Sequence, residues 1–169
     1  RIAIIGGVEL PTGSTTHTDQ FGRVPRSLQP GSGTWDFPVG VLLAHDAPTG
    51  YFADVLYTVR SEAGGYRTGN SLRYDLALTR ALRGGEPKQH FVWGVLELNG
   101  CVNGRDWSGS DGVASTGGHV LYLSPGLRLV HWTGRWVVDL SYQFPVASSL
   151  NDRQPRPEGA WLLGFRANF

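Results

Sequence analysis

Ser115, Ser124 and His119 stand close together in the chain, and His17 shares a stretch with Ser14, Thr15 and Thr16. A hydroxyl beside an imidazole is the minimal nucleophile and general base of acyl transfer. No Gly-x-Ser-x-Gly elbow accompanies either group, and no acid stands at a telling distance from them. The sequence therefore predicts no catalytic residue and no enzyme. His45, His90 and His131 all fall where strands give way to turns, the usual place of a solvated interfacial ring. A metal shared among them would need them on neighbouring strands. Residues 106–111 carry Asp106, Ser108, Gly109 and Asp111 without the ordered ligand spacing of a calcium loop. Cys101 is the only cysteine, which rules out an internal disulfide framework and a cysteine-cluster metal site. No metal and no cofactor is expected.

The remaining chemistry is charge. Glu9, Asp36, Asp54, Arg60, Arg73, Asp75, Glu97, Arg128, Asp139 and Arg166 each occur in segments where polar and apolar residues alternate. Alternation puts the charges on one side of a strand, where carboxylates and guanidiniums pair or line water. They are the candidate lumen-lining residues. In a closure of eight strands such an interior is filled by side chains, so a salt-bridged plug is the competing expectation to an open lumen.

The elements that must position these residues are strands. Period two recurs in about eight segments of roughly ten to thirteen residues, close to the length of a tilted membrane strand. They fall near residues 2–10, 34–45, 50–61, 70–83, 90–103, 118–130, 135–146 and 159–169. Trp35, Phe37, Val39, Val41 and Leu43 share one side of the second; Trp136, Val138, Leu140, Tyr142 and Phe144 share one side of the seventh. The last segment sets Trp161, Leu163, Phe165, Ala167 and Phe169 against Leu162, Gly164, Arg166 and Asn168. Connections alternate between short turns, at 46–49, 84–89 and 131–134, and long Gly/Ser/Pro-rich loops, at 11–33, 62–69, 104–117 and 147–158. The first loop, with Phe21, Arg23, Pro25, Arg26 and Leu28, is long enough to fold over a barrel mouth or to dock a partner. Outer-membrane barrels have this asymmetry, and it places both termini on the short-turn, periplasmic side.

Aromatics gather at segment ends. Trp35 and Trp161 lie at loop ends, and Tyr51, Phe52, Trp132, Trp136 and Phe169 at turn ends, the expected lipid-interface belts. Trp93 joins the turn-side belt if it points outward.

Composition agrees. The chain has 169 residues, 40% apolar and 17% charged, with 24 glycines, which predicts a single domain over 1–169, light in charge for a soluble one. No run of about 18 apolar residues exists, so a membrane could be crossed only by a closed barrel. A net charge of +1 without a Lys/Arg cluster argues against nucleic acid and against a polybasic surface anchor. The chain has no methionine and begins in an apolar stretch, so a processed or fragmentary product is expected. A soluble sandwich or lipocalin-like barrel also alternates, but it buries its apolar side inward and shows charge outside.

The order of several stretches resembles a family of outer-membrane transporters of the phenol-degradation meta-pathway type. They are GVELPTG at 7–13, GTWDF at 33–37, SLRYDLAL at 71–78, LELNG at 96–100, LYLSPGLR at 121–128 and the terminal strand. The terminal strand with its final Phe169 also resembles the signature read by the barrel-assembly machinery. What the resemblance implies is an outer-membrane barrel that takes up aromatic or other apolar small molecules, with no catalytic residues to carry over. It further implies additional strands before the first stretch, so these eight strands are either a whole barrel or part of a wider one completed by further strands or another chain. The expectation is an all-β, antiparallel, up-and-down transmembrane β-barrel of a Gram-negative outer membrane, porin-like, with the lipid bilayer as partner and no nucleic acid. Transport of small molecules leads. A structural barrel that anchors a protein partner or oligomer follows, and a lipid-modifying barrel enzyme comes last.

Overall fold

The computed structural model describes residues 1–24, 28–84 and 88–168. Strand makes up 62% of it, and no α-helix occurs among the described residues. In chain order the strands are β1 (Ile2–Gly6), β2 (Thr18–Asp19), β3 (Gly22–Arg23), β4 (Asp36–His45), β5 (Thr49–Arg60), β6 (Tyr66–Arg67) and β7 (Ser71–Arg83). They continue as β8 (Phe91–Asn103), β9 (Trp107–Ser108), β10 (Asp111–Gly112), β11 (Gly118–Val130), β12 (Trp136–Leu150) and β13 (Ala160–Ala167). The main sheet has eight strands in the order β1-β4-β5-β7-β8-β11-β12-β13, and every pairing in it is antiparallel. Each ladder neighbour is thus the next long strand in sequence, an up-and-down meander. The short strands belong to the loops, where β2 pairs with β3 and β9 joins β10 to β6.

The strands match the alternating segments, with two differences. The first expected strand, to residue 10, breaks after Gly6, although its register continues: Gly7 N–H donates to the Pro38 carbonyl, and Glu9 bridges Asp36. Proline has no N–H to return to the ladder, so Pro38 interrupts the pairing there. Residues 147–150, expected in a loop, extend β12, because a register shift between Leu121 and Tyr122 lets Ala147 to Leu150 keep pairing with β11. Such a bulge absorbs one residue and lets the strand run on.

Closure into a barrel, expected from the sequence, is not what the described residues display. β1 pairs only with β4 and β13 only with β12, so the sheet has two free edges. Both edge strands are exposed along their whole length. The surface left is large: 11460 Å², against about 8,200 Å² for a compact soluble monomer of this mass. Val137 is the only apolar side chain fully buried among the described residues.

Turns and close approaches need particular residues. The hairpin between β11 and β12 closes through His131 N–H to the Trp136 carbonyl at 3.0 Å and Gly134 N–H to the His131 carbonyl at 2.7 Å. Gly134 sits at φ +73°, a left-handed conformation that glycine adopts without steric cost. Gly40 on β4 lies so close to β5 that a Cβ would run into the Val55 carbonyl oxygen, with Leu56 Cδ1 3.0 Å away. Backbone cannot step aside as a side-chain tip does. Gly40→Ala should therefore lower unfolding stability by about 1 to 3 kcal/mol, read from the urea midpoint of the refolded protein, and an unchanged midpoint would mean the two strands part freely.

Candidate functional site

Register decides which charged residues share a face. Asp36 opposes Arg60, Asp54 opposes Asp75, Asp75 opposes Asn99, and Arg73 opposes Cys101. Glu97 opposes Ser124, Arg128 opposes both Trp93 and Asp139, and Val137 opposes Arg166. Opposed residues of paired strands project to the same side. Asp36, Asp54, Arg60, Arg73, Asp75, Glu97, Arg128, Asp139 and Arg166 consequently occupy one face of the eight-stranded sheet, and Glu9 joins them through its bridge to Asp36. The fully buried polar residues, Thr34, Asp36 and Ser124, belong to this charged side, as does Val137. On a flat sheet both faces would be equally open, so the burial marks the charged face as the concave one.

Three ion pairs brace this face. Arg60 Nε meets Asp36 at 3.2 Å, and Asp36 accepts a second bond from Thr34 Oγ1 at 2.8 Å. Arg60 also donates through Nη1 to the Gly69 carbonyl at 2.6 Å, tying β5 to the loop before β7. Arg73 reaches Asp75, two residues along the same strand, at 3.5 Å, and Arg128 pairs with Asp139 across β11 and β12. A polar chain runs between them: Asn99 Nδ2 donates to Asp75 Oδ1 at 2.7 Å, and Ser124 Oγ to Asn99 Oδ1 at 3.4 Å. Glu97, Arg128, Asp139 and Ser141, with Gly126 and Gly164, are among the residues lining a groove of about 560 Å³. Thr34 and Asn99 are the residues that charge alone does not reveal. Asn99 could have been found by its period-two spacing from Glu97, whereas Thr34 lies just ahead of β4 and only its fold neighbours expose its role.

The opposite face is apolar along most of its rows, with Arg80 entering it at the turn end, opposite Thr49 and Gly94. Ile4 opposes Val41, Val41 opposes Val55, and Val55 opposes Tyr74; Leu78 opposes Leu96; Leu127 opposes Leu140, and Leu140 opposes Leu163. These side chains stay open to their surroundings: Val41, Val55, Leu78, Leu96, Leu127 and Leu140 are exposed, and Leu163 reaches 76%. Tyr51, Trp136 and Trp161 lie on this face by register, and Trp35 and Trp132, just outside the strands, are exposed. Phe52 lies otherwise than its place at a strand end suggests, and the outward direction on which Trp93 would join the belt is not met. Phe52 opposes Ala44 and Ala77, and Trp93 opposes Arg128, so both face the charged side. Strand parity, not nearness to a turn, sets the direction of a side chain. Phe169, Pro25 and Arg26 lie outside the described residues.

The residues with catalytic potential do not converge. His119 Nε2 meets the Tyr74 hydroxyl at 2.9 Å on the apolar face, whereas Ser124 points to the charged one. Ser115 donates to Asp152 Oδ2 at 3.2 Å. The His17 backbone is braced by Gln29, whose Oε1 accepts from His17 N–H at 2.9 Å. Asp106 is occupied by the Tyr66 hydroxyl at 2.6 Å and by Gly69 N–H at 2.8 Å. No group of three or more metal-ligating side chains comes together among the described residues. Histidines do meet at the turn end: the ring centres of His90 and His131 are 5.0 Å apart, and Trp136 packs within 5.4 Å of one and 5.2 Å of the other. Desolvation by these neighbours holds the His131 imidazole below the ordinary histidine value, and His90 and Arg135 push it the same way.

The fold and the site define an all-β chain whose single large antiparallel sheet carries charge on one face and an open apolar surface on the other. No protein-family model matches the chain, and no curated protein matches its sequence.

Proposed function

We propose that the chain spans a Gram-negative outer membrane as strands of a β-barrel, with the apolar face toward lipid and the charged face lining an aqueous path for small molecules. The observation that carries this is the apolar face itself, registered across eight strands and left open. Soluble monomers rarely expose a contiguous apolar patch beyond a few hundred Å², and in a bilayer that same surface needs no cover. The free edges fit the reading too. In an up-and-down meander of eight strands the first and last run antiparallel, so they pair with each other or with added strands and leave no edge in lipid. Ile2 lies opposite Leu43, Arg1 bonds Asp46 at 2.9 Å, and Ala167 opposes Trp136, so both described ends sit with the short turns, the periplasmic side of such a barrel. Aromatic or other apolar small molecules are the cargo that the resemblance to the phenol-degradation transporter family implies.

A second reading, a barrel that anchors a partner, is favoured by one observation: the Asp36–Arg60 and Arg128–Asp139 pairs cross-link neighbouring strands and take up charge that would otherwise line a channel. Planar-bilayer recording separates the two. Transport predicts discrete, stable openings, and replacing Arg73 and Arg128 by Gln should shift the reversal potential toward cations. A folded, heat-modifiable but silent protein overturns the channel and leaves the anchor.

A further inference from the structure

We propose that His90 and His131 form an exchangeable site for a divalent transition-metal ion, Cu²⁺ above all, at the turn-end rim of the sheet. The sequence sets the condition that the histidines lie on neighbouring strands. The fold meets it for this pair alone among the three turn-end histidines: Phe91 opposes Val130 as the last pair of β8 and β11, so His90 and His131 come next in register, on one side.

Their ring centres are 5.0 Å apart with planes inclined at 55°. Two imidazoles bound to one ion through nitrogen at about 2.0 to 2.1 Å, at roughly a right or tetrahedral angle, place their ring centres about 4.5 to 5.2 Å apart. The ring centres therefore stand at chelating separation. His131 Nδ1 is held by Thr133, accepting from the Thr133 N–H at 3.3 Å and lying 2.7 Å from Thr133 Oγ1, which leaves Nε2 as the ring nitrogen open to an ion. When the ion binds Nε2, the ring proton shifts to Nδ1, which gives up the bond it accepts from the Thr133 N–H and donates to Thr133 Oγ1 instead. Trp136 packs against both rings and Trp132 against His131, so the imidazoles are held together by indoles. With two protein donors the other coordination positions hold water, which makes the site open and exchangeable. Two imidazole nitrogens favour Cu²⁺ over Ni²⁺ and Zn²⁺. The site does not depend on membrane insertion or on an open lumen, so its failure and the failure of the channel reading are separate.

The test is a Cu²⁺ titration of the folded, detergent-solubilised chain followed by tryptophan fluorescence and by the nitrogen superhyperfine pattern in electron paramagnetic resonance. The expected result is one equivalent bound, quenching of the adjacent indoles and a pattern from two nitrogens. His90→Ala and His131→Ala should each weaken this binding more than about tenfold and reduce the pattern to one nitrogen, with Thr133→Ala weakening it less. His45→Ala should leave it unchanged. Far-ultraviolet circular dichroism with unchanged strand content confirms that each variant is folded. Saturable binding that survives either His90→Ala or His131→Ala overturns the site, as does the absence of a two-nitrogen pattern in the unsubstituted chain.

Discussion

Leu140→Arg should cost about 2 to 4 kcal/mol of folding stability in a bilayer, the depth-dependent cost of a guanidinium on the lipid face near the midplane. Leu140 lies on the apolar face, opposed by Leu127 on β11 and Leu163 on β13, and no side chain of that face within this row offers a counter-charge. The informative control is Leu162→Arg. Leu162 and Leu163 are adjacent in sequence and project to opposite sides, Leu162 opposing Ser141 and Leu163 opposing Leu140. An arginine at Leu162 enters the charged side near Asp139 and should cost less than about 1 kcal/mol. The measurement is reversible unfolding by urea in lipid vesicles, with heat-modifiable migration as the folded signal. Equal costs at the two positions would erase the distinction between faces. If Leu140→Arg leaves a well-folded, water-soluble protein of unchanged stability, the membrane reading is wrong.

Arg60→Ala should be the most damaging change on the charged face, at about 3 kcal/mol. Asp36 is 4% exposed, so its carboxylate has left water and relies on Arg60 and on Thr34 Oγ1. Removing one partner of a buried pair leaves an uncompensated charge, which costs about 3 to 5 kcal/mol. The Arg60 side chain is 25% exposed, and water entering there brings the expectation to the lower end. The same truncation frees the Gly69 carbonyl. Asp36→Asn combined with Arg60→Ala should recover much of the loss, since the orphaned charge is gone. A cost below about 1 kcal/mol for Arg60→Ala alone would mean that the pair is a solvated one. Arg128→Ala should cost less, because Arg128 and Asp139 are both about half exposed.

The strands were legible because their two faces meet different surroundings, and period two records that difference directly. Seven of the eight ladder strands lie within a few residues of the alternating segments; the first is cut short where Pro38 cannot return a hydrogen bond. The extension of β12 to Leu150 was hidden, since a bulge is a relation between two strands and leaves no mark in either one. The ten candidate lumen residues share a face because alternation is a property of each strand alone, once the register is antiparallel and in phase.

Pairing across strands was not legible. That Arg60 seeks Asp36, or that Asn99 joins Asp75 to Ser124, depends on which residues stand opposite, and register emerges only when turns and bulges fix the ladder. Phe52 was misleading for the same reason: nearness to a turn is read from sequence, direction from parity. The amino-acid order by itself determined an all-β chain with one charged and one apolar side, because each strand carries that pattern internally. The tertiary structure alone decided which strands are neighbours, that β1 and β13 keep free edges, and that His90 and His131 meet, because these are distances between segments remote in sequence, set by the folded sheet as a whole.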